Sequence, residues 1–391
     1  MKRSSIISAA ECALLAAAVF ALLRYPAQAI DAAKSGVDIC AQALIPSLFP
    51  FFTLSSLAVE LGITDILARA LERVMRPLFN VSGACSAALI LGFIGGYPVG
   101  AKTAAALYER GKCTRGEAER LLGWCNNSGP AFVLGVVGAG VFSSPAAGLR
   151  LYIAHALSAL AVGVLFGLIS RFRSHGPERE ARRVRMTAAR KKASLPAAFV
   201  SSVKSSFASV ISICGFVIFF MVVIRLLFVS GAIPAAARLI AAPFGGSADT
   251  AERLLTGFIE LSSGVWALRS GADMTQSVYM AAVMLGWAGL SVHCQVLSLA
   301  GESGLGVGWY LLGKALQAAI SALIIIPLAG GVSAGAPAGA FSQAPRFSAA
   351  GRGLSAPGIL CALTSLPLFA ALLLFYLRRR KKCGKSLYKG V

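Results

Sequence analysis

The chain has 391 residues, of which 57% are hydrophobic and only 14% are charged. Soluble domains carry about one quarter charged residues, so this composition indicates an integral membrane protein and excludes a soluble domain. The formal net charge of +21 does not indicate nucleic-acid binding, because the basic residues stand in short runs between apolar segments. That pattern is typical of cytoplasmic loops under the positive-inside rule.

The first apolar segment, residues 6–24, predicts a membrane span within an N-terminal region, 1–36. Ala27-Gln28-Ala29 resembles a cleavage site, so a signal peptide is the alternative, which the length of the apolar run disfavours. A second span is predicted at 38–61. The next segment, 63–80, has charged residues spaced along an otherwise apolar helix and predicts an amphipathic helix on the cytoplasmic membrane surface.

The apolar stretch 81–107 contains Gly95-Gly96-Tyr97-Pro98 and Lys102, which a simple spanning helix does not need. Polar groups freed there must be covered by protein or line a wet cavity, and a lysine in hydrocarbon is costly. If the stretch crossed the membrane once, the basic loop 108–120 and the basic stretch 171–192 would both lie outside. A hairpin that enters from the cytoplasm and returns places both inside, so we predict a re-entrant hairpin.

The remaining apolar segments continue the pattern. One of them, 118–142, is interrupted by Asn126-Asn127-Ser128-Gly129-Pro130. The others are 149–170, 200–229, 251–272, 276–298 and 308–330. A basic cytoplasmic linker is predicted at 173–196, and a linker rich in Gly, Ala, Ser and Pro, predicted to be flexible and external, at 331–354. Residues 355–391 predict a last span with a basic cytoplasmic tail.

The second half of the chain resembles a copy of the first. Leu91-Gly92-Phe93-Ile94 matches Thr256-Gly257-Phe258-Ile259, and Leu122-Gly123-Trp124 matches Leu285-Gly286-Trp287 in the same order. Matches at nearly the same offset indicate an internal repeat of about 160 residues. We predict a first repeat at 37–172 and a second at 197–330.

Each repeat would hold one hairpin and three spans, an odd number, so the two repeats would insert with opposite orientation. The predicted fold is therefore an all-α integral membrane protein with about eight full transmembrane helices plus two re-entrant hairpins, in two inverted-topology repeats. Both termini would lie in the cytoplasm. Inverted repeats with interrupted helices are typical of secondary transporters, whose binding sites lie near the midplane.

The candidate substrate-binding residues lie at the matching breaks. Lys102 would attract an anion or pair with Glu260, and its alternative role is a side chain that reaches the membrane interface. Asn126–Gly129 offers amides, a hydroxyl and a helix N-terminus, which suit carboxylates, and its alternative is a simple loop. A lone His293 is often only hydrogen-bonded to a neighbouring helix. The predicted set is Gly95, Gly96, Tyr97, Lys102, Asn126, Asn127, Ser128, Gly129, Glu260, Ser262, Ser263, His293 and Gln295.

The remaining sequence patterns concern helix packing, catalytic motifs and the cysteines. Gly92, Gly96 and Gly100 form overlapping G-x-x-x-G patterns, which predict close helix packing. The chain has no H-E-x-x-H and no Walker loop, and we expect no enzyme activity, cofactor or metal site. The nine cysteines include no C-x-x-C pair and no zinc spacing, so they are expected to be small buried side chains.

Gly95-Gly96-Tyr97-Pro98 with Lys102, followed by Cys125-Asn126-Asn127-Ser128-Gly129-Pro130, resembles the nucleoside-recognition (Gate) domain superfamily. More closely, the chain looks like the sporulation integral-membrane proteins of spore-forming Firmicutes, over about residues 35–330. Leu290-Ser291-Val292-His293 departs from the Asn-Asn-Ser-Gly form of the first break, so a symmetric site would be degenerate.

This resemblance implies a transporter that moves a small organic anion, dipicolinic acid, across the outer forespore membrane during spore maturation. Its expected partners are that anion and the lipid bilayer, with a homo-oligomer or sporulation membrane partners left open. Two alternatives also remain open. One is a non-transporting membrane protein that supports spore-envelope assembly, and the other is a transporter of a different solute such as a nucleoside.

Overall fold

The computed structural model describes residues 3–173, 194–270 and 273–329, and all regular secondary structure in these residues is helical. The predictions for most of the basic linker and for everything from residue 331 onward lie outside the described residues. The described residues form two compact units. One contains 3–35 and 219–255, and the other contains 36–173, 194–218, 256–270 and 273–329. Residues of both predicted repeats lie in the larger unit.

The first half contains eight helices and two π-helical segments, Cys40–Leu44 and Ala131–Val141, within the described residues. The helices are α1 (Arg3–Arg24), α2 (Pro26–Ile39), α3 (Ile45–Glu60), α4 (Ile63–Phe79), α5 (Ser86–Gly95), α6 (Val99–Glu109), α7 (Arg115–Cys125) and α8 (Pro145–Arg173).

The described part of the second half contains seven further α-helices. These helices are α9 (Leu195–Val229), α10 (Ala232–Ala241), α11 (Ala248–Ile259), α12 (Leu261–Ala267), α13 (Met274–Trp287), α14 (Gly289–Glu302) and α15 (Gly308–Ala329). The inverted repeat stays a prediction.

The predicted hairpin at 81–107 is present as two helices. Helix α5 ends at Gly95, the chain turns at Gly96-Tyr97-Pro98, and α6 begins at Val99 and packs against α5. Gly96 has φ +78°, a left-handed conformation that favours glycine, and the Tyr97–Pro98 peptide bond is cis. The helix–turn–helix is therefore confirmed, and its re-entry into a membrane stays a prediction.

Helix α4 is amphipathic, as its sequence indicates. Met75 and Phe79 are buried while Arg69, Arg73 and Arg76 on the same helix are exposed. Helix α4 meets the segment that contains α5 at an angle of 98°. A basic face on one side and a buried apolar face on the other suit a helix that lies along a membrane surface.

Both interrupted segments break where the sequence predicts. Helix α7 ends at Cys125, and Asn126 follows in an extended conformation with φ −94° and ψ 95°. In the second half α13 ends at Trp287, and Ala288 adopts φ 78° before α14 begins. Helix α11 ends before Glu260, whose φ of −141° is extended, and α12 begins directly after it.

Four helical segments of the described chain are long and apolar enough to cross a membrane: Pro145–Phe172, Leu195–Val229, Met274–Glu302 and Gly308–Ala329. A bent pair, Arg69–Phe79 with Gly83–Gly95, raises the number to five if it counts as one span. The protein is therefore a membrane protein with several candidate spans, and the residues that the structure describes form only helices as regular elements. The predicted total of about eight includes the segment 355–377, which lies outside the described residues, and that total is not established.

Candidate functional site

The two breaks of the first half touch each other through their main chains. A Cβ atom at Gly96 would lie 2.8 Å from the Gly129 nitrogen, and one at Gly129 would lie 3.1 Å from the Gly96 nitrogen. Gly92 and Gly100 press against the carbonyl oxygen of Cys125 and leave no space for a Cβ. The packing role predicted for the G-x-x-x-G patterns is thus confirmed.

The second half brings its two breaks together in the same way. Gly289 has φ +77°, and a Cβ atom there would lie 3.0 Å from the Leu261 nitrogen and 3.1 Å from the Gly257 oxygen. Gly264 also packs directly on the main chain of Gly257. In each half, therefore, a hairpin turn and an interrupted helix cross at glycine residues.

One cavity lies where the four breaks meet. It encloses about 520 Å³ of space, including its open side. The predicted site residues that line it are Gly96, Tyr97, Ser128, Gly129, Glu260, Ser262 and Gln295. The other lining residues are Leu44, Leu48, Phe132, Ile213, Val217, Leu261, Ser291 and Val292. A mainly apolar wall with a few convergent polar groups is typical of small-molecule sites.

Glu260 is buried in the wall of this cavity and caps α12. Its Oε1 accepts a hydrogen bond of 2.9 Å from the Ser262 nitrogen, and its Oε2 accepts one of 2.6 Å from the Ser263 nitrogen. These are the main-chain donors that a helix N-terminus leaves free. The carboxylate therefore occupies the helix start itself, and its charge is balanced in part by the helix end.

Lys102 does not reach the cavity or Glu260. Its Nζ donates hydrogen bonds to Ser205 Oγ at 2.6 Å and to Ser209 Oγ at 2.9 Å, both on α9. The pairing of Lys102 with Glu260 that the sequence suggested is therefore wrong for this structure. The reason is that Ser205 and Ser209 lie one turn apart on α9 and together satisfy the ammonium group.

Asn126 and Asn127 hold the first break in place and do not line the cavity. Asn126 Oδ1 accepts from the Ala101 nitrogen at 3.3 Å. Asn127 Nδ2 donates to the Trp124 oxygen at 2.9 Å, and its Oδ1 accepts from Gln317 Nε2 at 3.0 Å. The amides therefore satisfy main-chain and side-chain groups of neighbouring helices, the role of interhelical glue.

Two residues from the long helices support this break from behind. His155 Nε2, on α8, accepts from the Ser128 nitrogen at 3.0 Å. Gln317 Nε2, on α15, also donates to the His155 oxygen at 3.3 Å. Sequence reasoning missed both, because each lies in an otherwise regular apolar helix with no local motif. Both are fully buried, so their polar contacts matter for the geometry of Ser128 and Gly129.

Lys314 is the unexpected charged residue of the site. It is 0% exposed in the second turn of α15, and its Nζ donates to Gln317 Oε1 at 2.6 Å and to the Tyr97 hydroxyl at 3.5 Å. Its Nζ also lies 5.2 Å from the centre of the Tyr97 ring, within range of a cation–π contact. The sequence signal was available, since a lysine within the apolar segment 308–330 is as unusual as Lys102.

Three further predicted site residues, His293, Ser263 and Gly95, lie away from the cavity wall. His293 Nδ1 shares a 2.8 Å hydrogen bond with the Tyr310 hydroxyl and lies outside the cavity wall. Ser263 is buried beside the capped helix start, and Gly95 packs against Val99. None of these three predicted residues lines the cavity.

Three cavity-lining side chains carry polar atoms with no hydrogen-bond partner among the described residues. They are Ser128 Oγ at the first break, and Ser291 Oγ and Gln295 Oε1 on α14. Buried polar groups are nearly always paired, so free atoms in a cavity wall suit contact with a solute or with water. Ser291 was not among the predicted site residues, although it belongs to the second break.

Comparison with known proteins agrees with this architecture. Residues 41–173 match the family described as nucleoside recognition (Gate). This part of the chain is similar to Gate domains. The sporulation integral membrane protein YlbJ of Bacillus subtilis (strain 168) is 29% identical to this chain over 339 residues, which cover 78% of this chain and 79% of that protein. No solved structure matches the chain.

The resemblance read from the two motifs is thereby confirmed. The matched Gate domain contains the hairpin turn at Gly96, the break at Asn126–Gly129 and the supporting His155. Glu260, Gln295 and Lys314 lie beyond it and complete the cavity or its surroundings. The Gate domain thus supplies only part of the site.

Proposed function

We propose that this protein is a transporter that carries a small planar organic acid across a membrane. The observation that carries the proposal is the cavity at the meeting point of four helix breaks. Non-helical backbone at membrane depth is tolerated where it is buried in protein or lines a cavity. Interrupted helices that meet at a central cavity are the arrangement used by secondary transporters.

The lining of the cavity supports a flat, polar-edged solute. Tyr97 offers an aromatic ring, and Phe132 and Val217 contribute apolar surface. Gln295 and Ser291 offer free polar atoms at another part of the wall. Aromatic and apolar walls with few polar groups fix the orientation of a bound ligand.

The charges near the cavity support an acid as the solute. The Glu260 carboxylate is already held by two main-chain N–H groups. Lys314, directly behind Tyr97, forms no ion pair among the residues described. A cation without an anionic partner favours a solute that brings one. We propose dipicolinic acid, an aromatic dicarboxylate, as that solute.

The biological setting is proposed from the relative. YlbJ is named a sporulation integral membrane protein, so we propose that this chain also acts in spore formation, in the outer forespore membrane. Both termini would face the cytoplasm of the mother cell. A homo-oligomer or other sporulation membrane proteins are proposed partners.

The test is uptake of dipicolinate into proteoliposomes that contain the full-length protein. The Ser291→Ala variant removes a free hydroxyl from the cavity wall, and Ser298→Ala removes an exposed hydroxyl from the same helix. We expect saturable uptake that falls severalfold in the first variant and stays unchanged in the second. Wild-type protein that moves no dicarboxylate would overturn the proposed substrate.

A nucleoside is the second candidate solute, because the cavity contains a carboxylate and an amide, groups that bind hydroxyls and bases. Competition separates the two candidates: excess uridine or adenosine should leave dipicolinate uptake unchanged. If nucleosides are transported and dipicolinate is not, the second candidate replaces the first. A protein that moves neither, yet still binds sporulation partners when Ser291 is changed, would have a non-transporting role.

A further inference from the structure

We propose that Lys314 couples the solute to a proton: an anion that enters the cavity binds together with a proton taken up from water by Lys314 Nζ. The inference rests on the proposed function, because it needs an anionic solute. It adds the coupling ion and the residue that carries it.

The geometry around Nζ leaves the charge of Lys314 without a fixed partner. The group is fully buried, and its hydrogen-bond acceptors are a neutral amide at 2.6 Å and a neutral phenol at 3.5 Å. A neutral amine has two N–H groups and can keep both contacts, so the protein tolerates either protonation state of this side chain.

The other titratable groups near Nζ include no carboxylate among the residues that the structure describes. They are Tyr97 from the hairpin turn, Cys125 from α7, His155 from α8, His293 from α14 and Tyr310 from α15 itself. Helix α13 contains no acidic or basic side chain and contributes the Leu285 carbonyl, which accepts from the Tyr97 hydroxyl at 3.0 Å.

An anion bound in the cavity would supply the negative charge that Lys314 lacks. Tyr97 lines the cavity and also contacts Lys314, so it separates the solute from Nζ by one aromatic ring. An anion in contact with that ring would lie about 9 Å from Nζ, since ring and solute atoms approach to about 3.5–4 Å. At an effective dielectric constant of about 20, attraction at this distance corresponds to about a tenfold to twentyfold gain in affinity.

Coupling of this kind is reciprocal. An anion in the cavity strengthens proton binding at Nζ, and a proton at Nζ strengthens anion binding by the same factor. When the anion leaves on the other side, the proton returns from Nζ to water there. One transport event therefore moves one anion and up to one proton in the same direction.

The test is isothermal titration calorimetry of dipicolinate into the purified full-length protein, in two buffers of different ionisation enthalpy at one pH between 7 and 8. The two apparent enthalpies give the number of protons taken up per bound anion. We expect between a few tenths and one proton for the wild-type protein, and binding that weakens as the pH rises. Lys314→Met should abolish the uptake and weaken binding about tenfold, whereas Lys204→Met, at an exposed lysine of α9, should change neither.

The outcomes separate the two proposals. Dipicolinate binding by the wild-type protein without proton uptake, at every pH, would overturn the coupling and leave the proposed function intact. An unchanged proton count in Lys314→Met would show that another residue takes up the proton, and it would overturn the role of Lys314. Absence of dipicolinate binding by the wild-type protein would contradict the proposed function and the coupling with it. Because the first measurement uses unmodified protein, the proposal stays testable even if the variant does not fold.

Discussion

Lys314 Nζ lies 3.5 Å from the Tyr97 hydroxyl and 5.2 Å from the centre of the Tyr97 ring, although the two residues are 217 positions apart in the sequence. The contact joins the second turn of α15 to the turn of the first hairpin. It places the fully buried lysine next to a cavity-lining side chain, so a change at either residue is expected to affect the other.

Tyr97→Phe should therefore separate the two roles of this tyrosine. The variant keeps the ring against the cavity and loses the hydroxyl that donates to the Leu285 oxygen and accepts from Lys314. We expect the free energy of unfolding to fall by about 1–2 kcal/mol, because one buried acceptor is left unpaired. Dipicolinate uptake should remain measurable in Tyr97→Phe and fall far more in Tyr97→Leu, as radiolabel uptake would show. Equal uptake by both variants would contradict a role for the ring.

Gly96→Ala should disrupt the crossing of the first two breaks. Its Cβ would meet the Gly129 nitrogen at 2.8 Å, and φ +78° is unfavourable for alanine. Both effects destabilise, by about 2 kcal/mol or more together. Thermal unfolding in detergent should show a clear loss for Gly96→Ala and none for Gly135→Ala, whose Cβ would meet open space. A fully stable Gly96→Ala protein would show that the observed contact is wrong.

Gln317→Ala removes the residue that links α15 to the first break. Its loss leaves Lys314 Nζ and Asn127 Oδ1 without their short hydrogen bonds. Each buried group left unpaired costs about 1–3 kcal/mol, so this variant should be strongly destabilised. The matched control is Gln276→Ala on α13, which is exposed. If both variants unfold at the wild-type temperature, the network around Gln317 does not contribute to stability.

Glu260→Gln tests whether the buried carboxylate caps α12 or binds the solute. Glutamine keeps one acceptor oxygen and replaces the other with an amide that cannot accept from the Ser263 nitrogen. A charge-assisted cap lost in this way should cost about 1–2 kcal/mol. Asp273→Asn, at the exposed cap of α13, should cost less. Dipicolinate uptake per folded Glu260→Gln molecule should persist, and its complete loss would favour a solute that binds the carboxylate.

Single cysteines can locate the two ends of the first interrupted segment. Arg110 and Ala146 are both exposed and stand on either side of it. In a protein from which Cys12, Cys361 and Cys383 have been removed, Arg110→Cys should react with an impermeant maleimide from the cytoplasmic side and Ala146→Cys from the opposite side. Labelling of both from one side would contradict the hairpin topology.

The backbone features of the site could be predicted because glycine, proline and asparagine change local geometry within a few residues. The turn at Gly96 and the break at Asn126 follow from such signals, and the matching break at Gly289 follows from the register of the repeat. The partners of the polar side chains could not be predicted in the same way. Ser205 and Ser209 accept from Lys102 because α9 packs there, and no local pattern specifies that neighbour.

Lys314 shows a different limit of prediction from the sequence. Its position in an apolar segment was visible in the sequence, yet nothing local links it to Tyr97, because that contact depends on how α15 packs against the hairpin. The same holds for His155, which supports Ser128 across 27 residues. Contacts between side chains that are far apart in the sequence become apparent only when the packing of the helices is known.

The contact between Gly96 and Gly129 involves main-chain atoms alone. The crossing of the two breaks therefore does not depend on the side chains that line the cavity. Side chains such as Ser128, Ser262 and Gln295 can change without altering how the two breaks cross, because none of them forms the crossing. A single framework can thus be adapted to chemically different cargo by exchanging a few side chains. Proteins built on it should preserve the glycines while varying the residues between them, and redesign of its selectivity should begin at those three positions.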